Sequence, residues 1–142
     1  MTPATPALDF CLRLSRAHAS LQRMLDDALG TLHGMGHADF IVLDALARAQ
    51  GQRLPVAALG APLGVVPSAV VRRLLPLEKT GHIAREQGAV VLRAAGRAAV
   101  NEARVTADAI CAEALAGIGP GARDAVLAVI DPLAASPALM PR

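Results

Sequence analysis

The sequence predicts a mainly α-helical protein with one small β-hairpin. Hydrophobic residues make up 54% of the 142 residues, but aromatic residues only 1%, and Trp and Tyr are absent. A core built from Leu, Val, Ile and Ala suits packed helices better than a β-sandwich. Alanine and leucine, both strong helix formers, dominate long stretches. Two short β-capable runs, residues 82–86 and 89–93, flank the pair Gln87–Gly88, where the glycine can supply the positive φ of a tight turn.

The first helices follow from apolar spacing and from the positions of glycine and proline. Residues 1–7 contain two prolines and predict a flexible arm. Apolar residues recur near a 3.6-residue period over residues 8–32, which predicts a helix that ends at the glycines of residues 34–36. The next helix is expected over residues 39–50, with Gly51 as its C-cap.

Two further short helices in close succession predict a helix-turn-helix. Pro55 can open the first of them, residues 56–63, because proline is tolerated in the first turn of a helix. The second follows Gly64 closely and covers residues 67–80. Since the hairpin comes next, residues 36–93 are predicted to form a winged helix-turn-helix, an architecture that binds DNA through its second helix.

The helices outside that domain are predicted to serve dimerisation. They cover residues 8–35 and 94–135, the latter interrupted by a glycine-rich turn at 117–121, and a flexible tail is expected at 136–142. Their apolar stripes need cover, and a two-fold partner that supplies the same helices is the simplest source of it. Such a homodimer would present two reading heads to double-stranded DNA about one helical turn apart.

Charge is segregated along the chain. Between Arg48 and Arg97 lie eight basic and only two acidic side chains, a net charge of +6. The remaining residues carry six basic and ten acidic side chains, a net charge of −4. A basic middle between acidic ends indicates that the middle meets a polyanion, although ordinary solvated arginines would give the same count.

Several other function classes lack support in the sequence. No run approaches the roughly 20 apolar residues of a membrane span, and residues 1–7 have no signal-peptide character, so we expect a cytoplasmic protein without a membrane partner. The glycines of residues 117–121 come without the Lys and Ser/Thr of a phosphate loop. No Ser-His-Asp spacing or carboxylate pair indicates an enzyme, and neither a cofactor nor a metal site is expected.

A succession of motifs points to a known family. They are DFIVLDALA at 39–47, RLPVAAL at 53–59, LGVVPSAVVR at 63–72, LEKTGHIARE at 77–86, LRAAGR at 92–97 and LAGIGP at 115–120. In order and spacing they resemble the MarR family of bacterial transcriptional regulators, and the likeness extends over roughly residues 8–135. The resemblance implies a dimer that binds DNA, usually as a repressor, and responds to a small aromatic or phenolic effector or to oxidation. It also implies that helix 67–80 enters the major groove and that the hairpin reaches a minor groove.

Three departures from the family pattern leave an alternative open. Only Gln87 and Gly88 separate the hairpin strands, which shortens the wing. Pro76 lies inside the expected recognition helix, where it should kink or end the helix. Val71 stands where a polar residue, often Thr, is common in the family. The alternative is a degenerate winged-helix relative with weak or no DNA binding that acts as a ligand-binding or protein-interaction module.

The candidate DNA contacts are polar residues of the recognition helix, basic residues around the hairpin, and Arg53 in the loop that precedes the helix at 56–63. Serine and arginine side chains bind phosphates or base edges. Ser68 could instead be a helix N-cap, and adjacent arginines point about 100° apart, so Arg72 and Arg73 should not both face the groove. Arg85 could instead pair with Glu86. The full set is Ser68, Arg72, Arg73, Arg53, Arg85 and Arg93.

Cysteine and histidine residues supply the remaining candidates. Cys11 and Cys111 resemble by position the sensing pair of organic-peroxide sensors in the family, which makes a redox-sensing regulator a further alternative. The other interpretation, which the absence of tyrosine favours, is that both are buried cysteines that pack as small hydrophobes. His18, His33 and His37 are candidates for lining the family's ligand pocket. His33 and His37 are four positions apart, but they are not expected to bind metal, because glycines interrupt the helix between them.

Overall fold

The computed structural model describes residues 2–135, so the predicted tail at 136–142 lies outside the described residues. Six α-helices and three strands are present in this part of the chain. The helices are α1 (Pro6–His33), α2 (His37–Arg48), α3 (Gly60–Leu63), α4 (Pro67–Lys79), α5 (Ala94–Ala114) and α6 (Pro120–Ala135). The strands are β1 (Arg53–Pro55), β2 (Ile83–Glu86) and β3 (Ala89–Leu92). The mainly helical class with a small sheet is confirmed.

Helix α1 starts two residues earlier than the apolar pattern predicts. The Thr5 hydroxyl accepts a hydrogen bond from the Leu8 backbone N–H at 3.2 Å, and Pro6 occupies the first helical position. A side-chain cap followed by proline favours a helix start at this point. The expected arm of residues 1–7 is therefore shorter by its last two residues. The helix ends at Gly34 with φ 64°, as the glycine break predicts.

Two carboxylates fix the start of α2 against α1. Asp39 accepts a hydrogen bond from the Gly36 N–H at 3.0 Å, and Asp26 of α1 accepts one from the His37 N–H at 2.6 Å. Both satisfy backbone donors that have no partner within the helix. The far end differs from expectation, because Ala49 and not Gly51 caps α2. Gly51, with φ 67°, lies in the following turn toward β1.

The sheet has one strand more than the sequence predicts. The β2–β3 hairpin is present with Glu86 opposite Ala89, and β1 pairs with β3 on its other edge, giving the antiparallel order β1-β3-β2. Residues 53–55 were expected to lead into a helix opened by Pro55. The helix instead begins with a 3₁₀ turn, Val56–Leu59, and Pro55 ends a strand at the sheet edge, where its missing N–H breaks no ladder bond.

Pro76 does not end α4. The helix continues from Pro76 to Lys79, and the Thr80 backbone N–H and hydroxyl both donate to the Pro76 carbonyl at 3.1 Å. Proline at this tenth position removes one donor, so the carbonyl of Arg72 loses its helical partner. Because this part of the helix surface is exposed, water can serve that carbonyl. Of the two effects expected of Pro76, a kink or an end, the end does not occur, and the helix predicted over residues 67–80 extends to Lys79.

The core lies among α2, α4, the sheet and the first half of α5. Its fully buried members include Leu43, Leu46, Leu74 and Val100. Gly96 in the first turn of α5 lets that helix approach the carbonyl oxygen of His82, which a Cβ at residue 96 would overlap. This approach is accompanied by a hydrogen bond from the Arg93 N–H to the same carbonyl at 3.0 Å. The start of α5 is thereby fixed against the base of the hairpin.

The chain divides into two compact units, residues 1–110 and residues 111–142. The second unit contains the end of α5 and all of α6, whose apolar side chains Val126, Leu127, Val129 and Leu133 are exposed.

Within residues 2–135, no single helix has the length and hydropathy of a membrane span. The segments Val56–Leu63 and Pro67–Lys79 reach those values only when taken together, with a bend of 96° between them.

Candidate nucleic-acid interface

Helix α4 has a buried face and an opposite exposed face. Val70, Leu74 and Leu77 are buried and recur at helical spacing, so they define the side that packs on the core. At about 100° per residue, the opposite side carries Ser68, Arg72, Leu75 and Lys79. All four are exposed. We call these four residues, together with Val71 at their margin, the outward face of α4.

Ser68 is free to bind a ligand from the first turn of α4. The N-cap of the helix is Val66, and no side chain caps it. The interpretation of Ser68 as a helix cap is therefore wrong. Its hydroxyl forms no hydrogen bond with any of residues 2–135. An exposed hydroxyl in the first turn of this helix is suited to a phosphate or a base edge.

The two adjacent arginines of α4 lie on different sides of the helix. Arg72 belongs to the outward face and forms no ion pair within the described part of the chain. Arg73 points about 100° away and lines a cavity with His18 and His37. The structure thus brings Arg72 to the outward face but not Arg73. Sequence analysis missed Lys79, which follows Arg72 at a spacing of seven residues and so shares its side of the helix.

The wing is short and is held by α4. Gln87 and Gly88 have φ values of 50° and 79°, so both central residues of the turn have the positive φ of a type I′ turn. Arg85 of β2 forms an ion pair with Glu78 of α4 and not with Glu86, its alternative partner in the sequence analysis. The pair ties the hairpin to the recognition helix and offsets the charge of Arg85.

The two other basic candidates flank the sheet. Arg93 follows β3 and is exposed. Arg53 is also exposed. It was expected in a loop, but it lies in strand β1 opposite Val91. It shares a shallow surface depression with the wing residues Gln87 and Gly88. Both arginines are therefore placed on the surface around the wing.

The cavity beside Arg73 combines polar and apolar walls. It has a volume of about 180 Å³ and lies between α1, α2 and the turn that connects α3 to α4. His18, Gln22, His37 and Arg73 supply polar groups. Burial lowers the pKa of His37, and His18 lowers it further, while Asp26 acts in the opposite direction. We call this the histidine–arginine cavity.

His33 does not join the other two histidines. Its Nε2 lies 2.7 Å from the Thr106 hydroxyl of α5, and its side chain lines a separate small cavity with Asp39, Thr80 and His82. The three residues between His33 and His37 connect the end of α1 to the start of α2, and the two side chains line different cavities. In the described residues 2–135, no group of three or more His, Cys, Asp or Glu side chains could hold a metal ion.

Comparison with known proteins establishes the fold family. No family model and no curated protein matches the sequence. Among solved structures, the MarR family protein Rv2887 of Mycobacterium tuberculosis in complex with salicylic acid is 29% identical, with a TM-score of 0.66 over 84% of this chain and 94% of that one. Sco3205, a MarR family transcriptional regulator from Streptomyces coelicolor in complex with DNA, is 20% identical, with a TM-score of 0.82 over 94% and 89%. CouR from Rhodococcus jostii RHA1, bound to p-coumaroyl-CoA, is also 20% identical, with a TM-score of 0.83 over 98% and 100%.

The chain has the fold of the MarR family transcriptional regulators. The resemblance that the motifs indicate is thereby confirmed. In the MarR fold of this chain, the helix with the outward face is α4 and the wing is the β2–β3 hairpin. Sco3205 and several other matched proteins are transcriptional regulators.

The cysteines of this MarR fold are both free thiols. Cys11 is exposed on α1, and Cys111 is half-buried near the end of α5. The interpretation of Cys11 as a buried hydrophobe does not agree with its exposure. The redox-sensing role of the two cysteines stays a prediction.

Proposed function

We propose that this protein is a DNA-binding transcriptional regulator of the MarR type, which represses the promoter that it occupies. It would act as a homodimer on double-stranded DNA and respond to a small aromatic or phenolic effector. No enzymatic activity is part of this proposal. Since its partner is chromosomal DNA, the protein would work in the cytoplasm of a bacterial cell.

The outward face of α4 carries the proposal. Ser68, Arg72 and Lys79 form one exposed polar side of a helix whose opposite side is anchored in the core. Neither Arg72 nor Lys79 is neutralised by a carboxylate within residues 2–135. A helix with these properties fits the major groove, where arginine binds guanine and cations bind phosphates. The DNA complex of Sco3205 shows that a protein with this fold binds a duplex.

Exposed apolar side chains support the homodimer. In a single copy, α1 exposes Leu8, Phe10, Leu12 and Leu32, and α6 exposes a further apolar set. Apolar surface of this kind on the terminal helices would be covered by a second copy related by two-fold symmetry. Two α4 helices could then occupy successive turns of one face of a duplex.

The histidine–arginine cavity supports the response to an effector. Arg73 and the two histidines offer N–H donors to an acidic group, and Ile41 and Leu63 supply apolar wall. An aromatic acid combines these two properties, and Rv2887 was solved with salicylic acid. Arg73 lies on α4 next to Arg72, so an effector held there could shift the reading helix and change the affinity for DNA.

The proposal is tested by selecting duplexes from a random pool with the purified protein and measuring their dissociation constants. We expect enrichment of a two-fold symmetric site, with binding that weakens steeply as salt concentration rises. Failure to enrich any sequence at low salt, with a protein verified as a dimer, would overturn DNA recognition.

Sodium salicylate tests the effector part of the proposal. We expect it to weaken binding of the selected duplex by wild-type protein. The Arg73→Ala variant should bind that duplex with little change and lose most of the salicylate effect, because Arg73 lines the cavity and not the outward face. An equal salicylate effect on wild type and variant would place the effector elsewhere.

The short wing favours a second candidate function. The hairpin has only two turn residues, and its Arg85 is already paired with Glu78 of α4. Both features reduce the contact that the hairpin can make with a minor groove. The candidate is a winged-helix module that binds ligands or proteins without tight DNA binding. Saturable salicylate binding by a dimer that enriches no duplex would favour it over the first.

A further inference from the structure

Two apolar side chains interrupt the polar character of the outward face. Val71 is 37% exposed and Leu75 is 44% exposed on α4. With Ser68 and Arg72 they form an i, i+3, i+4, i+7 set on one side of the helix. Leu75 lies between the cations Arg72 and Lys79 along that side. We call Val71 and Leu75 the apolar patch. It lies among Ser68, Arg72 and Lys79, the residues to which we assign DNA binding.

Core packing covers these two side chains only in part and leaves 37% of Val71 and 44% of Leu75 exposed. The buried positions of α4 are Val70, Leu74 and Leu77, which already recur at helical spacing and fill the interior side. Leaving branched apolar side chains in water brings no stability, and a polar residue would serve an exposed helix position as well. Val71 and Leu75 thus supply apolar surface where the fold has no use for it.

The charge around the patch indicates its occupant. Arg72 and Lys79 are unpaired within residues 2–135, whereas the nearest carboxylate of the helix, Glu78, is engaged by Arg85. This surface is complementary to a polyanion. In the major groove, the only apolar group on the base edges is the 5-methyl group of thymine. A cationic helix with a small apolar patch therefore matches a groove that presents a thymine.

We propose that Val71 and Leu75 contact a thymine methyl group in each half-site and so determine a base preference next to the contact of Arg72. The inference rests on the proposed function and extends it to sequence specificity. It assigns a positive role to Val71, which differs from the polar residue that the MarR pattern often has here. The valine offers a methyl group in place of a hydroxyl.

Uracil substitution tests this assignment, because uracil differs from thymine only in lacking the methyl group. Each thymine of the selected duplex is replaced in turn, symmetrically in both half-sites. For wild-type protein we expect one position per half-site at which the dissociation constant rises by about fourfold or more, the effect of one methyl group taken out of an apolar contact. At other thymines the change should stay within twofold.

The variants Leu75→Ala and Val71→Ala complete the test. Both positions are exposed in a helix, and alanine favours helix, so folding should be preserved. The uracil effect is the ratio of the dissociation constants of the uracil and thymine duplexes. We expect this ratio to fall toward 1 in Leu75→Ala, in Val71→Ala or in both. Val105→Ala removes an exposed apolar side chain of α5 and should keep the wild-type uracil effect.

Four results would overturn the inference. Equal binding of all uracil duplexes by wild-type protein would refute the methyl contact and leave the proposed function intact. An unchanged uracil effect in both variants would show that other residues contact the methyl group, and a changed oligomeric mass of Leu75→Ala would show that the patch is a protein interface. If no duplex is enriched at all, this inference fails together with the proposed function.

Discussion

At the residue scale, Gly96 is the position where a single added methyl group should cost most. A Cβ at residue 96 would overlap the His82 carbonyl oxygen and lie 2.8 Å from the Leu92 side chain. We expect Gly96→Ala to lower the free energy of unfolding by about 1–3 kcal/mol, the usual cost of overpacking. Urea denaturation measures it.

Gly30 provides the matched control. It lies in helix α1, and a Cβ there would meet nothing within 4 Å. Alanine should therefore raise the free energy of unfolding by about 0.5–1 kcal/mol through its helix preference. Equal effects of the two substitutions would contradict the close approach of α5 to the hairpin.

His37 makes stability depend on pH. Burial lowers the pKa of His37 below the ordinary 6.5. His18 also lowers this pKa, and Asp26 raises it. Arg73 is a further charged residue that lines the same cavity. The unfolded chain then binds a proton at a pH where the folded chain does not. The contribution of His37 to stability is therefore complete above pH 6.5 and is lost as the pH falls from 6.5 toward its lowered pKa.

The measurement compares the unfolding free energies of wild type and His37→Gln at pH 7.5 and at several values below 6.5. We expect a smaller decrease in the variant, because glutamine cannot titrate. If the variant loses stability over this range as steeply as wild type, His37 is not the responsible group. His18→Gln, at an exposed position of α1, serves as the second comparison.

Residue types and spacing located only part of the candidate site. The place of Ser68 and Arg72 on the outward face could be predicted, because it follows from the start of α4. The partner of Arg85 could not, since Glu78 is seven residues away on another element. The separation of His33 from His18 and His37 depends on how α1 packs against α2 and α5, which one sequence does not reveal.

At the element scale, α4 contains a proline that the helix tolerates without benefit. Pro76→Ala would restore a donor for the Arg72 carbonyl and improve helix preference. We expect a gain of about 1–3 kcal/mol in the free energy of unfolding. Pro67→Ala is the control, because Pro67 occupies the first helical position, where a missing N–H costs little. A destabilised Pro76→Ala protein would show that packing of the ring in the cavity beside His33 outweighs the lost hydrogen bond.

Elements with strong local signals were predictable, and short ones were not. The long helices follow from apolar periodicity, and the hairpin follows from the Gln87–Gly88 pair. Strand β1 has only three residues and ends in proline, so its local sequence resembles a helix start. It exists because β3 offers a free edge, and that pairing joins residues nearly 40 positions apart.

At the scale of the whole molecule, two α4 helices can meet successive turns of one duplex only in a dimer. Leu8 and Leu12 are exposed one helical turn apart on α1. We expect wild-type protein to have a solution mass of about 29 kDa, twice the 14.5 kDa of one chain. The double variant Leu8→Glu, Leu12→Glu should shift toward the monomer, since buried carboxylates are costly. Light scattering after gel filtration measures the mass.

Ala57→Glu is the control for that experiment, because Ala57 is an exposed position of the 3₁₀ turn Val56–Leu59, outside the helices assigned to dimerisation. Its mass should equal that of the wild type. A wild-type protein that is monomeric at every concentration would contradict the two-fold arrangement. The winged-helix order of elements would remain, because it depends on contacts within one chain.

The central claim is that the outward face of α4 binds duplex DNA. The most direct measurement is the dissociation constant of the selected duplex for Arg72→Ala and for Arg16→Ala, each removing an exposed arginine without an ion pair in the described residues. We expect Arg72→Ala to weaken binding by about tenfold or more, as for loss of a base or phosphate contact, and Arg16→Ala to change it less than twofold. Equal affinities for wild type, Arg72→Ala and Arg16→Ala would contradict the account.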